Sequence, residues 1–163
     1  MKKTNSFQQN FWSTSFGDDY VNRNSSLQKI NEFYEKNIGI SVEEIFKTFF
    51  DNIDRNCKML EIGCNIGLKL LILKNLGFSN LCGLDVNKKA IELAKKIYPS
   101  MDFINSSIEH YNFKNNQFDL VFTSGVLIHI HPKLLQNIIK KILSISSRYI
   151  FGFEYFSEKQ VEI

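Results

Sequence analysis

No stretch of this sequence is apolar for long enough to cross a membrane; even VFTSGVLIHI falls far short of the roughly 20 residues needed. The opening MKKTNSFQQN carries two lysines with no apolar segment behind them, so no secretory signal is legible and the expected location is cytoplasmic. Nor is there a basic block longer than two residues, or an aromatic RNA-binding motif, which removes nucleic acid from the expected partners. Cysteine is sparse. Cys57, Cys64 and Cys82 form no Cys-x-x-Cys pair and have no histidine at ligand spacing, so they read as buried reduced thiols and no metal is expected. Charge of neither sign dominates: 20 basic against 17 acidic residues leave +3, and lysines such as those of KKAIELAKK fall on a polar helix face.

What remains is an ordinary globular composition over 163 residues, enough for one domain with a real core and one site. The first 54 residues read as an N-terminal helical cap segment and residues 55–163 as an α/β core. Within the cap, FWSTSFGDDYVNRN is too aromatic for a linker and is expected to fold over something. Leu27, Ile30, Tyr34 and Ile38 recur at helical spacing and stop at Gly39; Val42, Ile45, Phe46, Phe49 and Phe50 mark a second helix capped by Ser41. Beyond Asp54, short apolar strands alternate with helices: CKMLEI, GLKLLILKNL, NLCGLDV, NKKAIELAKKIY, MDFINS, FDLVFTS, a helix from Pro132, and SRYIFGFEYF. That alternation predicts a parallel sheet with helices on both faces.

In such a sheet a ligand binds beyond the carboxyl ends of the strands, and LEIGCNIGLKLL places a glycine turn there. Gly63 and Gly67 allow the sharp turn and a helix start close to a ligand, and Asn65, standing where a dinucleotide fingerprint has its middle glycine, tolerates left-handed dihedrals. A triphosphate loop is excluded because Leu68 and Leu70 stand where lysine and a magnesium-binding hydroxyl belong, with Lys69 one place too late. A dinucleotide pyrophosphate is disfavoured by Glu61, whose charge no nearby arginine offsets. A cofactor with a positive end and no phosphate fits better. Asp85, closing NLCGLDV, lies about 20 residues beyond Gly63, the spacing of an acid that grips ribose hydroxyls.

LEIGCNIG, the GLDV strand ending and FDLVFTSGVLIHI, in that order, resemble the class I S-adenosylmethionine-dependent methyltransferases from Met59 to about Tyr155. The resemblance implies a Rossmann-like fold with S-adenosylmethionine as cofactor. Glu61 then faces the methionine end, Gly63, Cys64, Asn65 and Gly67 lie along the cofactor, Asp85 holds the ribose and Val86 flanks the adenine. Ser107 stands where the family often has an acid for the adenine amino group, so that contact is expected from its hydroxyl or from the Ile108 backbone. The cluster FWSTSFGDDYVNRN, together with the asparagine of the glycine turn, resembles more narrowly the methylases associated with pseudaminic acid biosynthesis.

Around this frame, Thr123, Ser124 and Gly125 are small enough at the end of the fourth strand to let a methyl donor approach. Arg23 is shaped to fork the methionine carboxylate of the cofactor while Tyr20 covers the sulfonium. His129 follows the strand exit and is the candidate general base, with a turn-supporting role as its alternative, and Glu154 is a further acceptor-side candidate. His131 reads as a solvent-exposed or capping group and Trp12 as a packing anchor. The sequence lacks the Asn/Asp-Pro-Pro-aromatic signature of nucleic-acid amino-methyltransferases, so the expected acceptor is a small molecule, a sugar or sugar nucleotide. The rival expectation is an S-adenosylmethionine-binding sensor or accessory subunit without turnover. Only SEKQVEI follows Phe156, where the family adds a hairpin, so the C-terminal hairpin is expected to be missing and the fifth-strand edge to be open to a homodimer partner.

Overall fold

A computed structural model describes residues 6–156. Residues 157–163, on which the expectation of a missing hairpin bears, lie outside the described residues. The cluster expected to fold over something forms two helices, α1 (Phe7–Trp12) and α2 (Ser15–Arg23). Ser6 and Gln9 close α1 with a reciprocal capping box. Two longer helices follow, α3 (Leu27–Ile38) and α4 (Val42–Phe50). As the sequence predicts, α3 stops on Gly39 in a left-handed conformation (φ 82°), and Ser41 caps α4 through a second capping box with Glu44.

The sheet holds five parallel strands, β1 (Met59–Ile62), β2 (Leu81–Asp85), β3 (Asp102–Asn105), β4 (Phe118–Ser124) and β5 (Ser146–Phe153), in the order β3-β2-β1-β4-β5. Three crossovers are helical: α5 (Leu68–Asn75), α6 (Lys88–Ile97) and α7 (Pro132–Ile145). Strand order reverses between β1 and β4, and the crevice for a ligand opens there.

Alternation along the strands sorts the core into two layers. Met59, Leu120 and Phe122 face α4 and α5, meeting Phe46, Phe50, Leu70 and Leu73. Leu60, Ile62, Leu84 and Val121 face the other way, against Ile138, Ile142 and Ile145 of α7. Burial of a side chain of this size contributes about 1.5–3 kcal/mol, so these two layers hold the sheet. Glu61, between Leu60 and Ile62, must then point to the α5 side, 1% exposed. Among the described residues no strand pairs with the outer edge of β5, where Tyr149 and Ile150 are exposed. No described helix is long and apolar enough to cross a membrane.

Candidate cofactor and acceptor site

At the carboxyl ends of β1, β2 and β4 lies a cavity of about 620 Å³, within the usual range for a small-molecule site. Its floor is the turn between β1 and α5. The Gly63 and Cys64 N–H groups donate to the Leu84 carbonyl at 2.7 and 3.1 Å, tying the turn to the end of β2. Gly63, Asn65 and Gly67 all take positive φ (72°, 49° and 80°), so asparagine does occupy a left-handed position in this turn.

Asp85 sits across from the turn and accepts the Asn65 N–H at Oδ2 (2.7 Å) and the Asn87 N–H at Oδ1 (2.8 Å). Burial raises its carboxyl above the ordinary value, with the two N–H groups pulling the other way. Capping of α6 falls to Asn87, which accepts the Ala90 N–H at 2.8 Å, so Asp85 is not needed as a cap.

The opposite wall is α1 and α2. Asn87 Nδ2 donates to the Trp12 carbonyl (3.1 Å) and to Asp18 Oδ1 (3.0 Å), and Gln9 Nε2 donates to Glu109 Oε2 (2.8 Å). Gly17 allows this approach, since a Cβ there would collide with the Trp12 carbonyl oxygen. Trp12 packs against Tyr20 (ring centroids 5.2 Å) and His129 (4.6 Å). Burial lowers the His129 imidazole below its ordinary value. His129 closes a short 3-10 turn, Leu127–His129, whose start is held by Glu154, which accepts the Val126 and Leu127 N–H groups at 3.0 Å each. The Glu154 carboxylate is therefore engaged in supporting the turn. His131 caps α7 as expected, its Nδ1 accepting the Lys133 N–H at 3.2 Å.

Of the residues singled out in the sequence, Tyr20, Arg23, Gly63, Cys64, Asn65, Asp85, Val86, Ser107, Ile108, Ser124, Gly125 and His129 come together in the cavity wall. Glu61, Gly67 and Thr123 stand behind that wall: Glu61 and Thr123 are buried at 1% and 3% exposure, and a Cβ at Gly67 would press on the Phe103 ring. Ser107 already holds the His110 N–H on its hydroxyl oxygen (3.1 Å). Trp12 is more than an anchor, because it lines the cavity too. Sequence reasoning missed Lys69, Tyr34 and Asn87 as wall residues. Lys69 also corrects the reading of Glu61: no arginine is near, but Lys69 Nζ lies 3.9 Å from Glu61 Oε1, so the carboxylate does not stand uncompensated. Burial raises the Glu61 carboxyl above its ordinary value, with Lys69 opposing.

Residues 59–147 match the family model described as a methyltransferase domain, and the chain belongs to that family. The ribosomal protein L11 methyltransferase of Thermotoga neapolitana is 31% identical over 83 residues, 50% of this chain and 31% of that protein. EEF1A lysine methyltransferase 2 of Danio rerio is 38% identical over 69 residues, 42% of this chain and 30% of that protein. The chain thus spans about a third of the length of these curated relatives. The crystal structure of magnesium protoporphyrin IX methyltransferase from Synechocystis PCC 6803 with bound SAM superposes with a TM-score of 0.70 at 15% identity, covering 92% of this chain and 77% of that one. At that identity the likeness is one of fold: the parallel five-stranded sheet flanked by helices is Rossmann-like, as in class I methyltransferases.

Proposed function

We propose that this member of the methyltransferase domain family transfers a methyl group from S-adenosylmethionine to a small-molecule acceptor, a sugar or sugar nucleotide of the pseudaminic acid pathway. The observation that carries the first half is the cavity itself, with Asp85 and the left-handed turn on one side and His129 beside Trp12 on the other. The second half is supported by the FGDDYVNRN stretch, which forms α2, where Tyr20, Arg23 and Asn24 enter the cavity wall.

The residues present suit this cofactor. Each Asp85 oxygen accepts one backbone N–H and keeps a lone pair for a ribose hydroxyl. The Asn65 N–H, which in a dinucleotide site would face pyrophosphate, is taken by the Asp85 carboxylate, and that internal anion disfavours a bound phosphate. The bound cofactor supplies a methyl group on a sulfonium that is already an activated leaving group. The chain's own work is then alignment and exclusion of water. Tyr20 and Trp12 cover the opening from α1 and α2, and Ser124 and Gly125 keep the β4 exit narrow in bulk. His129, held neutral near pH 7 by burial, accepts the proton of an acceptor hydroxyl. Pairing of two copies along the β5 edge belongs to the same proposal, and a monomer at every concentration in sedimentation would remove it.

Incubation with methyl-labelled S-adenosylmethionine and a panel of sugar nucleotides, with mass detection of product, tests the reading. A product heavier by one methyl is expected. Binding of the cofactor with no methylated product would favour the sensor, and tighter binding of NAD would overturn the cofactor assignment.

A further inference from the structure

The first turn of α5 sets Lys69 against Glu61 at the foot of the cavity, and this pair is incompletely satisfied. Nζ and Oε1 are 3.9 Å apart, beyond hydrogen-bond distance, with side chains 17% and 1% exposed. An ammonium carries three donors, and among the described residues none of the three has an acceptor within hydrogen-bond reach. Glu61 Oε2 is likewise buried without a partner. Buried charges persist where their partners are close and their remaining hydrogen bonds are made, and neither condition is met here. Only one of the two faces the cavity: Lys69 lines it and Glu61 does not. In the same wall, Asn65 Oδ1 is a buried acceptor without a partner.

A cation lacking acceptors and an amide oxygen lacking a donor, both in the wall of one cavity, form the complement of a zwitterion. Resting on the cofactor reading above, we propose that Lys69 binds the carboxylate at the amino-acid end of the cofactor, and that Glu61 is a positioning residue that acts through Lys69 without touching the cofactor. Asn65 Oδ1 accepts from the ammonium of the same end. Arg23 also lines the cavity, but it is exposed and rests over the Phe16 ring at 5.8 Å, so Lys69 is the cation on the buried side. Burial opposes the Lys69 charge and Glu61 favours it, and the net direction is upward, so the ammonium stays protonated.

Calorimetry on the whole chain separates this proposal from the reading beneath it. The ligands are S-adenosylhomocysteine, its decarboxylated analogue, and 5′-methylthioadenosine, which keeps the nucleoside and thioether but has no amino-acid end. For the unaltered protein, loss of the carboxylate is expected to weaken binding roughly 10- to 100-fold, the effect of losing charge-assisted hydrogen bonds. Lys69→Met should weaken S-adenosylhomocysteine by the same factor and leave 5′-methylthioadenosine within about twofold. Glu61→Gln should give a smaller loss on S-adenosylhomocysteine alone, and Lys69→Arg should restore part of it. Equal affinity of the unaltered protein for the carboxylated and decarboxylated ligands overturns the proposal without any variant. So does a Lys69→Met chain that binds S-adenosylhomocysteine normally, or that loses both nucleosides equally. A protein that binds none of the three ligands takes down the cofactor reading as well.

Discussion

On the wall of the cavity made by β1, β2 and the turn after β1 every fastening donor is a main-chain amide, whereas on the wall made by α1 and α2 every fastening donor is a side-chain amide. On the first, the Leu84 carbonyl holds Gly63 and Cys64, and Asp85 holds the amides of Asn65 and Asn87. On the second, the attachments are Gln9 to Glu109, Asn87 to Trp12 and Asp18, and the Trp12 ring on His129. Phe7, Phe11 and Phe16 on the second wall are exposed, while the turn is flanked by the buried Ile62, Cys64, Ile66 and Leu68. A wall whose donors are all main-chain amides keeps its shape under side-chain substitutions other than at Asp85, which suits a ligand common to a whole family. A wall held by a few side chains opens at lower cost and changes with single substitutions, which suits acceptor choice.

The largest effect should come from where the second wall meets the chemistry. His129→Asn is expected to slow turnover by about 10² to 10⁴-fold with little change in cofactor affinity. Because burial lowers the His129 pKa, the rate that depends on the proposed base should fall only as pH drops below the ordinary histidine range. The variant should lack that acidic limb, and a full rate in single-turnover kinetics would return His129 to supporting the turn.

Next is Asp85→Ala on the main-chain wall, which should weaken cofactor binding by about 1.5–3 kcal/mol and release the amides of Asn65 and Asn87. Unchanged affinity in calorimetry would take Asp85 out of the site. Gly17→Ala drives a methyl into the Trp12 carbonyl, and overpacking of this kind costs about 1–3 kcal/mol. If the walls are as separate as their bonding indicates, acceptor KM rises while cofactor Kd holds; equal losses in both would merge them. The smallest effect is expected from Asn87→Ala. It removes a cap contribution of about 1 kcal/mol, measurable by denaturant unfolding, and frees Trp12 and Asp18 of their tether.

The same division explains what could be read from the sequence. Local chemistry was legible: the stop of α3 at Gly39, the Ser41 capping box, the run FDLVFTS as β4, and the left-handed Asn65 all follow from residues within a few positions of one another. Asp85 was legible because its distance from Gly63 is set by one strand-helix-strand unit. The contacts of Trp12 with Asn87 and His129, and of Val126 with Glu154, join residues far apart in sequence, and no periodicity announces them. Lys69 was visible as a residue but was compared with a phosphate loop, and only the direction of Glu61 in β1 reveals its partner.

The three cysteines bear on how the protein withstands oxidants. All are buried, and burial pushes Cys57 up to about 11, Cys82 up to about 12 and Cys64 well above its ordinary value. Each therefore stays a thiol, unreactive towards peroxide or an alkylating reagent while the chain is closed. Labelling then becomes a clock for opening: Cys57, just before β1, and Cys82, within β2, mark loosening at that end of the sheet, and Cys64 marks departure of the glycine turn from β2, the event that a tightly bound nucleoside should slow.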